Sequence, residues 1–462
     1  MKDEKQFRQY VERHPRSHPF PLLRPYFTRR GFFHLAGAGV AGSVLLERPA
    51  LGQGIVRHGG QPINKAKNIV FILLGGAPSH TDLFDFKQSP DTPMNLLKPE
   101  TIKGIQWPAG LLPKLGGQLG DLAIVRSVRS WALQHNLAQS WAQIGRSPGA
   151  ALGDIAPNFG AIVAAEKESE RRPGQVFPTF LALNSGAAIG SGYLPASYAP
   201  LKITPATTGL PDTNNADGQT RFDSKYALLQ KLDGSLRSPA SNPYSVEMAG
   251  YQGFYQAGKD MMFNPAVDQA FRFTTQEAAR YGPSGFGNAC LTAAKVLGAR
   301  GGTRYVQITF SSWDHHTGIY TALPPMAKQL DDGVSAMIED MKSSGAFAET
   351  LIVIMGEFGR TTGELNGTDG RDHHLQQFAV FAGAGVKGGR TIGSTDATGG
   401  ATKEYGWSRN RDLRVEDFEA TIYSALGIDW TTVRYDDPFK RGFYYVPDSD
   451  SDVYGPLHEL WS

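Results

Sequence analysis

A chain of 462 residues with 40% hydrophobic and 19% charged residues can bury a large core, which excludes a disordered or fibrous protein. Its 46 Lys+Arg against 44 Asp+Glu leave a net charge of +2, which gives no electrostatic case for a nucleic-acid partner. The single cysteine, Cys290, excludes an intrachain disulfide framework and a multi-cysteine metal site, and reads as a small buried apolar residue.

The slight basicity sits at the N-terminus, where residues 1–30 hold eight basic and three acidic side chains. Arg29-Arg30 is followed by an apolar and small-residue run at 32–46, then by Ala50-Leu51-Gly52. The run is about 15 residues, short of the ~20 that cross a bilayer as a helix. Charged region, short apolar run and small-residue site, in that order, resemble a twin-arginine export signal over residues 1–52. The expected partner is the twin-arginine export machinery, and the expected location is periplasmic or secreted. No later stretch is long and apolar enough to span a membrane, so the mature protein is expected to have no membrane span.

In chain order, the run 68–74 (NIVFILL) reads as a strand apolar on both faces, as a parallel sheet covered by helices requires. A helical stretch at 111–119 precedes a short strand at 122–125. A helix follows at 134–144 and ends at Gly145. The next strand is 176–183. Residues 184–222, rich in Gly, Ser, Pro, Thr and Asn, read as a long surface excursion. Helices are expected at 223–233, 245–262, 266–281 and 287–299. A strand at 304–310, an amphipathic helix at 320–343, strands at 350–355 and 378–382, and a helix at 415–426 complete the series. Strands alternating with helices predict an α/β fold with a doubly wound, mainly parallel sheet over 60–430. Residues 184–300 are then a largely helical insertion or cap, and 431–462 a C-terminal extension.

Ligands of open α/β sheets bind beyond the carboxyl ends of strands. Ser79, His80, Asp82 and Asp85 follow the first strand; Asp314, His315 and His316 follow the strand at 304–310. Glu357 and Arg360 follow 350–355, with Arg371, Asp372, His373 and His374 shortly beyond. His135 opens the helix after 122–125. Oxygen and imidazole donors converging at one sheet edge suit a divalent ion such as Zn²⁺, Mn²⁺ or Ca²⁺. Arg360 and Arg371 can clamp a planar oxyanion. Each residue has a plainer reading as well. Asp85 can cap a turn, His80 can bond the backbone, Glu357 and Arg360 can form a buried ion pair, and Trp313 can be packing. The glycines at 383, 385, 388 and 389 read as hairpin turns. Ser79 lacks a Gly-x-Ser-x-Gly elbow, which argues against a serine hydrolase.

The ordered set NIVFILLGGAPSHTDLFD, WDHH, GEFGR, GRDHH and GAGVKGG, behind a twin-arginine signal, resembles one bacterial family of unassigned function. That family is similar to the sulfatase and alkaline phosphatase superfamily. The resemblance implies an alkaline-phosphatase-like fold and a metal-dependent hydrolase of phosphate or sulfate esters, acting on a small-molecule or glycan ester. It implies metal ligands at Asp314, His316, Glu357 and His373, with Asp82, or else His80 or Asp85, as the expected replacement for carboxylates missing from the pattern. His135, ten residues before Gly145-Arg146, falls at the superfamily's nucleophile position, as nucleophile, general base or metal ligand, and Arg371 steadies the oxyanion. The chain departs from the pattern at Gly75 and Gly76, where aspartates are expected, and at Phe358, where a histidine is expected. Those departures leave open a second reading, a non-catalytic periplasmic binding or assembly module.

Overall fold

All seven residues of the first sheet strand, β1 (Asn68–Leu74), are buried. Val70, Ile72 and Leu74 pack into one apolar cluster, and Ile69, Phe71 and Leu73 into another. Successive side chains of a strand point to opposite faces, so a strand covered on both sides needs an unbroken apolar run. The computed structural model describes residues 54–186, 189–233 and 255–462. The expected export signal at 1–52 and most of the expected helix 245–262 lie outside the described residues.

Seven further strands complete the central sheet: β2 (Leu122–Arg129), β3 (Phe180–Leu183), β4 (Leu201–Ile203), β5 (Tyr305–Phe310), β6 (Thr350–Gly356), β7 (Gln376–Ala382) and β8 (Arg390–Ile392). Their spatial order is β8-β2-β7-β6-β1-β5-β3-β4. Every neighbouring pair is parallel except those of β7, which runs antiparallel to both β2 and β6. The fold is therefore the expected mainly parallel α/β sheet, with one reversed strand inside it.

Five helices matter for the site and the core: α1 (His135–Ile144), α2 (Phe159–Lys167), α3 (Gly285–Gly298), α4 (Ile319–Ser343) and α5 (Val415–Ala425). Leu291 of α3 and Val334 and Ile338 of α4 pack on one sheet face. Ile162 of α2 and Phe418 and Ile422 of α5 pack on the other. Cys290 is buried in α3, as its composition argument required. Val446, Leu457 and Leu460 of the C-terminal segment join the second cluster.

Several boundaries differ from expectation for local reasons. The strand expected at 176–183 begins only at Phe180, since Pro178 has no N–H to give a ladder. The helix expected at 266–281 is two pieces, Pro265–Phe271 and Thr275–Arg280. Thr274 starts the second piece: its Oγ1 accepts the Glu277 N–H at 3.1 Å while the Glu277 carboxylate accepts the Thr274 N–H at 2.7 Å. The excursion at 184–222 contains the edge strand β4. The glycine-rich turn after β7 is not a hairpin: β8 pairs in parallel with β2, so the chain reverses and crosses the end of β2.

Strand direction positions the site. The carboxyl ends of β1, β2, β5 and β6 lie at one edge of the sheet, and the reversed β7 begins there. Residues that follow four strands and precede a fifth are thereby brought together.

Candidate metal centre

Helix α1 begins at the sheet edge because Gln134 caps it, its side-chain oxygen accepting the Leu137 N–H at 2.6 Å. His135 is thus the first helical residue. Asp314 and His316 come from the loop after β5, and His373 from the short strand His373–His374 before β7. His135, Asp314, His316 and His373 each offer a ligand atom, and those atoms all lie within 4.8 Å of one another. Around the Asp314 carboxylate, His316 Nε2 is 3.1 Å away, His135 Nε2 3.4 Å and His373 Nε2 3.9 Å.

The outer nitrogen of each imidazole is held. His135 Nδ1 lies 2.8 Å from Glu357 Oε1, and His316 Nδ1 lies 2.7 Å from Asp372 Oδ1. His373 Nδ1 donates to the Leu133 carbonyl at 2.6 Å. Carboxylates and carbonyls only accept, so these bonds place the ring protons on Nδ1 and leave lone pairs on Nε2. His316 Nε2 and His373 Nε2 are 2.9 Å apart, so in two neutral rings their lone pairs face each other, with Arg360 Nη1 also reaching His316 Nε2 at 3.2 Å. A cation between them removes that repulsion, and the donor set therefore fits a bound divalent ion.

Electrostatics around the cluster are set by two neighbours. Burial works against charge on Asp314, but the Arg360 guanidinium, 2.6 Å away, outweighs it and holds the carboxyl below its ordinary value. The hydrogen bond that His135 donates to Glu357 raises His135 above its ordinary value against the effect of burial. His373 is lowered, first by burial and then by the nearby cations. Asp314 and His316 remain open to solvent, with side chains 45% and 42% exposed.

Glu357, expected from sequence as a ligand, is placed behind His135 rather than among the four. It is buried, and its Oε1 accepts from the Gly76 N–H at 2.8 Å and Gln139 Nε2 at 3.1 Å as well as facing His135. It forms no pair with Arg360. Arg360 spends its donors on Ala77 O, Gly76 O, Arg371 O, His316 Nε2 and Asp314 Oδ1. Asp82 and Arg371, expected as ligand and oxyanion clamp, are buried against each other, Arg371 Nε donating to Asp82 Oδ2 at 2.7 Å. Ser79 and Tyr320 hydroxyls also donate to Asp82, at 2.6 and 2.9 Å. The other Arg371 donors reach Thr361 O and Gly363 O, both at 3.0 Å. This pair lies outside the four-residue cluster and fixes the loop that carries His373.

Among the remaining candidates His80 bonds the backbone and Trp313 packs, in line with their plainer readings, whereas Asp85 forms ion pairs instead of a cap. His80 is buried with Nε2 2.9 Å from Gly399 O. Asp85 is paired with Arg126 at 3.1 Å and Lys87 at 3.2 Å. Trp313 is buried edge-to-face against Phe310. His374 Nδ1 accepts the Gln376 N–H at 3.1 Å.

The departures from the superfamily pattern have a physical form. Gly76 has φ +103°, and a Cβ there would lie 2.7 Å from the main-chain nitrogens of Trp313 and Asp314. An aspartate cannot be housed where the two loops cross this closely. The buried Phe358 ring packs 4.9 Å from the His135 ring and 4.6 Å from the His373 ring. An apolar ring thus lies against two of the four imidazole and carboxylate groups, and a backbone crossing leaves no room for a side chain at position 76. Sequence reasoning missed Gln139 and the Leu133 carbonyl. Gln139 is four residues from His135 on α1, a spacing that puts both on one helix face; a main-chain carbonyl leaves no sequence signal.

Matches among solved structures include a phosphonate monoester hydrolase from Silicibacter pomeroyi, at 11% identity, covering 78% of this chain and 73% of that one, with a TM-score of 0.38. A lipoteichoic acid synthase from Listeria monocytogenes matches at 11% identity over 80% and 74% of the two chains, with a TM-score of 0.37. A protein in the alkaline phosphatase superfamily from Vibrio parahaemolyticus matches at 11% identity over 87% and 76%, with a TM-score of 0.36. Among curated proteins no sequence matches. Residues 66–441 match the family model described as "Protein of unknown function (DUF1501)", and by that match over most of its length the chain belongs to the DUF1501 family.

Proposed function

We propose that the protein is an exported, metal-dependent hydrolase of phosphate or sulfate esters, with one divalent ion held by His135, Asp314, His316 and His373. The observation that carries this reading is the shared orientation of the three imidazoles. Each Nδ1 is held by an outer acceptor, so that each Nε2 is left to converge on Asp314. Three nitrogen donors and one carboxylate suit Zn²⁺ or Mn²⁺ better than Ca²⁺, whose ligands are oxygens.

When bound, such an ion supplies Lewis acidity toward a phosphoryl or sulfuryl oxygen and lowers the pKa of a water. The chain's own groups orient and charge the site. Arg360 keeps Asp314 ionised and fixes one of its oxygens, leaving Oδ2 toward His135. Glu357 holds the His135 proton on Nδ1, which makes His135 a ligand in this reading rather than a nucleophile. Ser79 is tied to Asp82, and Cys290 is buried with its thiol pushed well up by burial, so neither is available to attack. Water is then the attacking group. Solvent exposure of Asp314 and His316 leaves room for an ester presented on a small molecule or on a glycan chain.

Export rests on the Arg29-Arg30 signal, and the proposed location is periplasmic or secreted. Among the described residues no helix is long and apolar enough to cross a membrane. The test is turnover of aryl phosphate and aryl sulfate probes by the mature protein loaded with Zn²⁺ or Mn²⁺. Turnover of either, lost in Asp314→Ala, supports the proposal. The placement of Phe358 against His135 and His373 favours a second reading, a binding or assembly module in which the ion is structural. Stoichiometric metal without turnover of any ester supports that alternative.

A further inference from the structure

Four amides, Asn158 and Gln307 buried and Gln139 and Gln143 half-buried, lie between the middle of the sheet and the metal centre. Gln307 sits in β5, fully buried in an otherwise apolar strand. A buried amide in that setting is costly unless its hydrogen bonds are made. Here they are: Asn158 Nδ2 donates to Gln307 Oε1 at 3.1 Å, and Gln307 Nε2 donates to Gln143 Oε1 at 2.5 Å. Gln143 Nε2 donates to the Gln139 carbonyl at 2.8 Å, and Gln139 Nε2 donates to Glu357 Oε1 at 3.1 Å. Asn158 is fixed in turn as the cap of α2, its Oδ1 accepting the Gly160 N–H at 2.9 Å.

Two features make this more than a set of satisfied core amides. His135, Gln139 and Gln143 are spaced four residues apart on α1, so they form one polar stripe along a single helix face. The row is not one continuous chain: Gln143 ends on the Gln139 main-chain carbonyl, while the Gln139 side chain donates to the Glu357 carboxylate, which only accepts. The Gln139 amide therefore helps hold that carboxylate oxygen in place. That oxygen is the one facing His135 Nδ1 at 2.8 Å.

We infer that Gln139 is a positioning residue for the metal centre. It holds Glu357 so that the His135 proton stays on Nδ1 and Nε2 faces the ion. The inference rests on the reading of His135, Asp314, His316 and His373 as ligands. Its substance, the orientation of His135, can be read without metal.

The test uses the mature protein with ¹⁵N-labelled histidine, in metal-free form and then with Co²⁺. In the wild type, His135 is expected as the Nδ1–H tautomer. In Gln139→Leu, both tautomers should be present. Co²⁺ affinity, from competition with a chromophoric chelator, should fall about tenfold in Gln139→Leu. In a Glu357→Ala background, Gln139→Leu should cause no further loss, because its effect passes through that carboxylate. An unchanged tautomer in Gln139→Leu overturns the inference. So does an equal loss of Co²⁺ affinity with and without Glu357, which marks a general packing effect. Should Gln139→Leu fail to fold, Gln139→Met removes the same donor with a longer side chain and carries the same expectation. A wild type that takes no Co²⁺ refutes the metal-centre reading, and the tautomer still decides the role of Gln139.

Discussion

His135 Nδ1 and Glu357 Oε1 lie 2.8 Å apart, although 222 positions separate the two residues. One is the first residue of a helix and the other follows the last residue of a strand, and the sheet edge brings them together. A carboxylate behind a ligating imidazole fixes its tautomer, and loss of such a partner commonly costs 10–100-fold in metal affinity. Glu357→Gln is therefore expected to weaken Zn²⁺ binding by about that factor while the protein stays folded. Chelator competition measures this; an affinity within twofold of wild type would remove Glu357 from the site.

Asp82 and Arg371 are a buried pair, and both are fully inaccessible. Removing one charge strands the other in the interior at a cost of about 3–5 kcal/mol. Asp82→Asn should lower the urea midpoint accordingly. The double variant Asp82→Leu/Arg371→Met should cost less than the sum of its two single changes. Equal stability of Asp82→Asn and wild type would show that the pair does not hold the loop.

Gly76 stands where the superfamily pattern expects a metal-binding aspartate. Its positive φ and the 2.7 Å approach to the nitrogens of Trp313 and Asp314 bar any side chain without movement of the loop bearing Asp314. Gly76→Asp is expected to reduce metal content below the wild-type stoichiometry. Elemental analysis that found a second equivalent of metal in Gly76→Asp would refute this.

Asp332 in α4 is buried, with Lys114 at 2.7 Å and Lys328 at 2.6 Å. Burial alone would raise its carboxyl, but the two ammonium groups outweigh this and hold it below its ordinary value. A folded-state pKa below the unfolded value of about 3.9 stabilises the protein above that pH, and the gain disappears as pH falls through the folded value. Asp332→Asn should melt below wild type at pH 7, and the gap should close on acidification below about pH 4. A gap that stayed constant with pH would exclude the charge as its cause.

Much of the sheet was legible because burial on both faces writes an unbroken apolar run, as in Asn68–Leu74 and Thr350–Gly356. Such a run has no direction, so Gln376–Ala382 did not reveal that it runs backwards. The three-residue edge strand Arg390–Ile392 is too short to carry periodicity. The cluster residues were legible because ionisable groups cluster after strand ends. Their division of roles was not. Asp82 and Asp314 both follow strands, and only the partner of Asp82, 289 positions away, distinguishes a buried ion pair from an open carboxylate. Gln307 was hidden inside a strand that reads as apolar.

The most direct measurement is elemental analysis of the mature protein after export, beside Asp314→Ala/His373→Ala. One equivalent of Zn or Mn in the wild type, absent from the folded double variant, is the result expected from a single ion held by His135, Asp314, His316 and His373. A wild type without metal after reconstitution, or a double variant that keeps a full equivalent, would contradict the assignment of the centre.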